Sequence, residues 1–201
     1  AGIPARLGAL DGAIRSSLEA ALEQDGRRLL EEKLAGYPEG LDGRTLVIEF
    51  ARGGPQGSSM PLPEHYGYAH SLARLAPEIL ERASILYIWV TPEESRRKNE
   101  QRADPNDPGS ILHHGVPIEV MLNDYGCDDM DWLEQNTERP GTVTVKTGGK
   151  TFFLPVARFD NREDKTTFIR EDPEKWPEEK VRALRSELKR ALDQLFERAK
   201  G

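Results

Sequence analysis

The run Ser84-Ile85-Leu86-Tyr87-Ile88-Trp89-Val90, followed at once by Thr91-Pro92-Glu93-Glu94, most narrows the folds open to this chain. A short continuous apolar run rich in β-branched and aromatic side chains reads as a strand covered on both faces. Thr91 can cap a helix, Pro92 suits its first position, and Glu94 can reach back to the cap amide. Strand therefore passes directly into a helix that runs to about Arg102. Thr45-Leu46-Val47-Ile48-Glu49-Phe50 reads as a second buried strand. Between the two, residues 64–82 carry a helical stripe of Tyr68, Leu72, Leu75, Ile79 and Leu80. Alternating strands and helices predict an α/β fold, here a three-layer, mostly parallel sheet flanked by helices.

The remaining segments fill in that frame. Residues 5–35 read as helix, with Leu7, Leu10, Ile14, Leu18 and Leu22 on one face. Gly26 is expected to break it before Leu29, Leu30 and Leu34 continue a second piece. Residues 103–116 hold Asp104-Pro105 and Asp107-Pro108-Gly109, so they form a lid-like loop. Residues 117–124 read as helix, and Asp128 can cap another through Gln135. Residues 142–153 alternate around Gly148-Gly149, a hairpin pattern read as an insertion. Residues 154–159 carry its second arm into the main sheet. Residues 177–200 form a last helix lined by Val181, Leu184, Leu188, Leu192 and Leu195. A length of 201 residues suits a single α/β domain over 1–201.

Charge and cysteine content exclude several classes. Lys plus Arg total 28 against 35 Asp plus Glu, a formal net charge of −7. That argues against general nucleic-acid binding, which needs a basic face. A single cysteine excludes an internal disulfide framework and a Cys-rich zinc site. No apolar run approaches the ~20 residues of a membrane span, and no signal peptide opens the chain. The cytoplasm is the default compartment. The chain starts at Ala1 rather than Met.

Five segments can carry chemistry. Glu49, at the expected carboxyl end of a parallel strand, could hold a hydrated divalent ion or act as a base. Beside it stand Arg52 and the Gly53-Gly54 pair, which lets a ligand approach the backbone. The same residues also suit a capped strand end with a surface ion pair. Arg96, Arg97, Lys98 and Arg102 place four cations within seven residues of an acidic chain, and guanidinium forks suit phosphate oxygens. They equally suit a solvated helix face neutralised by Glu93, Glu94 and Glu100. His113-His114, with His65 and His70 elsewhere, lack zinc-ligand spacing, although His114 could touch a substrate phosphate. The acidic run from Asp124 to Asp131 does not match the calcium-loop pattern and reads first as helix capping. Asp160-Asn161, at a strand end, could hydrogen-bond a base or ribose, or simply make a turn.

The order of these pieces resembles the later two-thirds of P-loop nucleoside and nucleotide kinases, over about residues 44–115 and 150–200. The resemblance implies phosphoryl transfer from a nucleoside triphosphate to a small-molecule or nucleotide acceptor, with ATP and Mg²⁺. It implies that Glu49 aligns the metal or acceptor and that Arg52 touches an acceptor phosphate. Arg96, Arg97 and Arg102 become lid arginines, and Asp160-Asn161 lie near the base.

One departure is severe: no G-x-x-x-x-G-K-[ST] occurs. Thr147-Gly148-Gly149-Lys150-Thr151 ends in Gly-Lys-Thr, but it lies in a hairpin and leads into no helix. Either the chain is truncated, with the loop before Ala1, or the fold has lost nucleotide binding. In the second case it serves as a non-catalytic binding module, with loops 53–63 and 103–116 meeting a protein partner. A third reading is a metal hydrolase using the histidines and Asp124 to Asp131.

Overall fold

The computed structural model describes residues 9–40, 42–102 and 115–200. Where the sequence predicts one domain, the chain divides into two compact units, residues 1–49 and 50–201.

In the first unit, α1 spans Gly12–Ala35, capped by the Asp11 carboxylate, which accepts from Ala13 N at 2.9 Å. The expected break at Gly26 does not occur. A helical glycine costs about 1 kcal/mol. Good helix formers on both sides and the i,i+4 ion pairs Glu23–Arg27 and Arg28–Glu32 (2.6 and 2.8 Å) offset it. Residues 44–49 belong to no helix or strand, and Leu46 and Val47 are 65% and 83% exposed. The expected buried strand at 45–50 is therefore absent. Apolar β-branched composition favours a strand only where a neighbour satisfies the backbone.

In the second unit, α2 (Gly67–Leu72) and α3 (Pro77–Leu80) replace the single helix expected over 64–82. Pro77 explains the break, because the residue before proline is pushed from helical to extended backbone; Ala76 has ψ 143°. Strand β1 (Ile85–Trp89) leads into α4 (Pro92–Arg102). Next come α5 (Ile118–Asp124) and α6 (Met130–Gln135). Strands β2 (Thr142–Thr147) and β3 (Lys150–Asp160) follow. Two 3-10 turns, Thr167–Arg170 and Pro173–Lys175, precede α7 (Glu178–Lys200).

The sheet order is β1-β3-β2. β1 pairs with β3 in parallel from Ile85↔Val156 to Trp89↔Asp160, and β2 pairs with β3 antiparallel from Thr142↔Pro155 to Thr147↔Lys150. The class is α/β, but the expected three-layer, mostly parallel sheet is corrected to a small mixed one of three strands. The second arm of the hairpin, β3, is the central strand of the sheet. Gly148 and Gly149 turn the hairpin with φ of 58° and 74°, as a two-residue turn of this hand requires. Leu72, Leu80, Met130, Leu133, Val143, Leu154 and Val156 form the core that joins α2, α3 and α6 to the sheet.

Beyond Pro155, β3 has no strand on its β2 side, and α7 covers that edge with side chains. Asp160 N donates to Glu187 Oε1 at 3.1 Å, Arg190 Nη2 donates to Arg158 O at 2.9 Å, and Arg198 Nη1 donates to Val156 O. These contacts satisfy backbone groups that an open edge would leave exposed for unwanted pairing. Ala191, fully buried, lets the helix lie close.

Candidate functional site

The carboxyl ends of β1 and β3 converge, and the loops leaving them meet. Asn161 N donates to Trp89 O at 2.9 Å, extending the parallel pairing by one bond. From β1 the chain enters α4, where Thr91 Oγ1 accepts from Glu94 N at 3.2 Å. Only half of the expected capping box forms. The Glu94 carboxylate turns to Arg97 instead, at 2.6 and 2.5 Å.

From β3 the chain enters a tight loop organised by Asn161, which is 4% exposed. Its amide oxygen accepts from Lys165 N at 2.8 Å and its nitrogen donates to Thr166 Oγ1 at 3.1 Å. Lys165 Nζ donates to Asp160 O at 2.6 Å. The two loops are joined through Asp164. Lys98 Nζ stands 3.1 Å from Asp164 Oδ1 and 3.7 Å from Glu94 Oε1, while Arg97 donates to Asp164 Oδ2 at 3.3 Å. Burial by itself would raise the Asp164 carboxyl. Hydrogen bonds from Thr167, Thr166 and Lys98 outweigh it and hold the group below the usual carboxylate range. Asp160 is likewise depressed, chiefly by the Arg162 guanidinium, which contacts it at 3.0 and 2.8 Å.

The residues expected from sequence distribute unevenly around this edge. Arg97, Asp160 and Asn161 lie at it, with Lys98. Arg96 is on α4 and pairs with Glu93 at 3.3 Å. Arg102 is exposed in the last turn of α4. Arg52 is tied elsewhere: its Nε donates to Ser71 Oγ on α2 at 3.1 Å. Glu49 is exposed and belongs to the first unit. His113, His114 and most of the lid-like loop lie outside the described residues. His65 and His70 make an edge contact with ring centroids 5.1 Å apart.

Gly53 and Gly54 are buried against protein rather than open to a ligand. Gly54 N donates to Cys127 O at 2.8 Å, and a Cβ on Gly53 would lie 2.6 Å from that same oxygen. Among the described residues, no group of three or more His, Cys, Asp or Glu side chains could hold a metal ion.

The acidic run serves as caps and partners. Asp128 accepts from Met130 N at 2.9 Å and from the Tyr87 hydroxyl at 2.8 Å. Burial, then the negative charge of Asp128, raises the Tyr87 phenol. Asp129 is 1% exposed and accepts from Tyr68 N and Ala69 N at 2.6 and 3.0 Å, capping α2 across sixty residues of chain. Asp131 and Glu134 both clasp Arg158.

Arg158 also stands 4.9 Å from the Trp89 ring centroid, and Arg162 covers the same ring at 3.6 Å. No protein-family model, curated protein or solved structure matches the chain. Sequence reasoning counted Lys98 among the α4 cations but passed over Asp164, whose role appears only when α4 and the loop after β3 are brought together. It also passed over Arg190 and Arg198. For these two, the i,i+4,i+8 spacing of Arg190, Gln194 and Arg198 was a readable sign of one polar face.

Proposed function

We propose that residues 50–201 form a phosphotransferase-like α/β domain that takes a nucleotide or other small phosphorylated molecule at the carboxyl edge of β1 and β3. One observation supports this reading above others: the α4 cations and the Asp160-Asn161 loop, some sixty residues apart in sequence, meet at the end of one parallel strand pair. Ligands of open α/β sheets bind at that edge. In this reading Arg96 and Arg102 face the phosphates and Asp160 flanks the base or sugar, while Asn161, buried, holds the loop that carries it. Arg97 and Lys98, held by Glu94 and Asp164, fix α4 against the loop. Catalysis would come from positioning and charge, with little covalent chemistry from the protein.

The described residues do not by themselves fit ATP with Mg²⁺. They include no glycine-rich phosphate loop and no triad of ligating side chains. Glu49 alone is a single exposed carboxylate.

Calorimetry with AMP, ADP and ATP tests the reading. Saturable binding with Kd weaker than ~10 μM is expected, weakened about tenfold in the Arg96→Ala, Arg102→Ala double variant, which removes two charge-assisted contacts. No saturable binding at ~10 mM, or binding unchanged in the double variant, refutes it. The alternative, a non-catalytic interaction module, draws on the exposed Leu46 and Val47, and it expects no nucleotide binding at all.

A further inference from the structure

The unpaired half of β3 borders a cavity of about 260 Å³ lined by Trp89, Glu134, Arg158, Asp160, Arg190, Gln194 and Arg198. Its chemistry is dominated by donors. Arg190, Gln194 and Arg198 recur every fourth residue along α7, so they form one row facing β3. The recorded contacts of Arg190 to the Arg158 carbonyl and to Glu187 both use one terminal nitrogen, Nη2. Arg198 uses Nη1 for the Val156 carbonyl. Each guanidinium has five N–H groups in a rigid fork, so both retain donors beyond these bonds. Asn161 N points to β1, and alternation along the strand turns the Arg158 N–H away from β1, to the same edge.

Both carboxylates of the lining are in ion pairs. Glu134 takes the Arg158 fork at 2.8 and 2.7 Å, and Asp160 takes Arg162. The lining holds three guanidinium groups against two carboxylates. With the partners just outside it, Asp131 on Arg158, Glu187 on Arg190 and Arg162 on Asp160, the charges balance at four against four, and Arg198 is the lining guanidinium with no carboxylate paired to it among the described residues.

We propose that this cavity is a binding site for a small organic anion, one carboxylate or phosphate group on a triose-sized body. The acid group would sit between Arg190 and Arg198, with Gln194 and the Arg158 N–H completing its contacts. The volume is below the ~300–1,000 Å³ typical of pockets for drug-sized ligands, so a whole nucleoside triphosphate does not fit. The inference rests on α7 and β3; it shares Asp160 with the nucleotide reading but uses none of the α4 cations.

Calorimetry on the full chain with glycerol 3-phosphate, glycerate and glycerol tests it. At least one of the two anions is expected to bind one-to-one with Kd between ~10 μM and ~1 mM, and which one does so identifies the acid group. Added salt should weaken it, and glycerol should not bind. Gln194→Glu, which puts a carboxylate into the donor row, should weaken binding at least tenfold. Gln194→Met, which removes the amide without adding charge, should weaken it at least threefold. Melting curves check that both variants remain folded. No saturable heat with either anion, equal binding of glycerol, or unchanged affinity in a folded Gln194→Glu variant overturns the proposal. An unchanged response to AMP, ADP and ATP in that variant separates this outcome from failure of the phosphotransferase reading.

Discussion

Replacing Asp129 by Ala should destabilise the second unit more than any exposed acidic substitution. The carboxylate is 1% exposed, and its two oxygens accept the first free amides of α2, Tyr68 N at 2.6 Å and Ala69 N at 3.0 Å. Gly67, at φ 77°, brings the chain so close that a Cβ there would lie 2.5 Å from Asp129 Oδ2. No side chain on α2 itself supplies a cap hydrogen bond. Alanine would leave two amides without their acceptor at a site that is 1% exposed. Each such buried group costs about 1–3 kcal/mol, so the loss is about 4 kcal/mol. With a urea slope of about 2 kcal/mol per molar for a unit of this size, the midpoint should fall by about 2 M. Asp129→Asn keeps one acceptor and should lose about half as much. Asp193→Ala, which removes a surface partner of Lys189, should stay within about 0.5 kcal/mol. Urea unfolding followed by tryptophan fluorescence reads all three. A shift under ~0.5 M for Asp129→Ala would refute the capping argument.

Two further outcomes follow from the same geometry. Gly53→Ala should cost about 1–3 kcal/mol in the same assay, because its Cβ would meet backbone oxygens of Cys127 and Asp124 at 2.6 and 2.9 Å. Acid should weaken the edge of β1 and β3. The Asp160 and Asp164 carboxyls are both depressed in the folded state, so their contribution is complete above the unfolded carboxylate pKa, about 4, and is lost as pH falls toward the folded values. Melting temperature measured from pH 5 to pH 2 should fall more steeply for the parent than for Asp164→Asn, and a parallel decline would show that Asp164 contributes nothing to that slope.

Much of the local structure was legible. The apolar run at β1, the Thr91-Pro92 helix start, the Gly148-Gly149 turn and the final helix all follow from periodicity and turn chemistry. The site was legible only in part. Asp160-Asn161 and the α4 cations could be named, but nothing local singles out Asp164. Its importance depends on Lys98 and Arg97, more than sixty residues earlier. The expected strand at 45–50 failed for the same kind of reason, since a strand is completed by a neighbour and composition cannot supply one.

The sequence by itself determined where helices and strands could form, because capping, turn and periodicity preferences act within a few residues. The tertiary structure decided which polar groups meet. It made Asp129 the cap of α2, Asp164 the bond between α4 and the loop after β3, and Glu187, Arg190 and Arg198 the cover of an unpaired strand edge. Each of these assignments satisfies a buried or edge group through a partner 27 or more residues away, a distance at which no local preference acts.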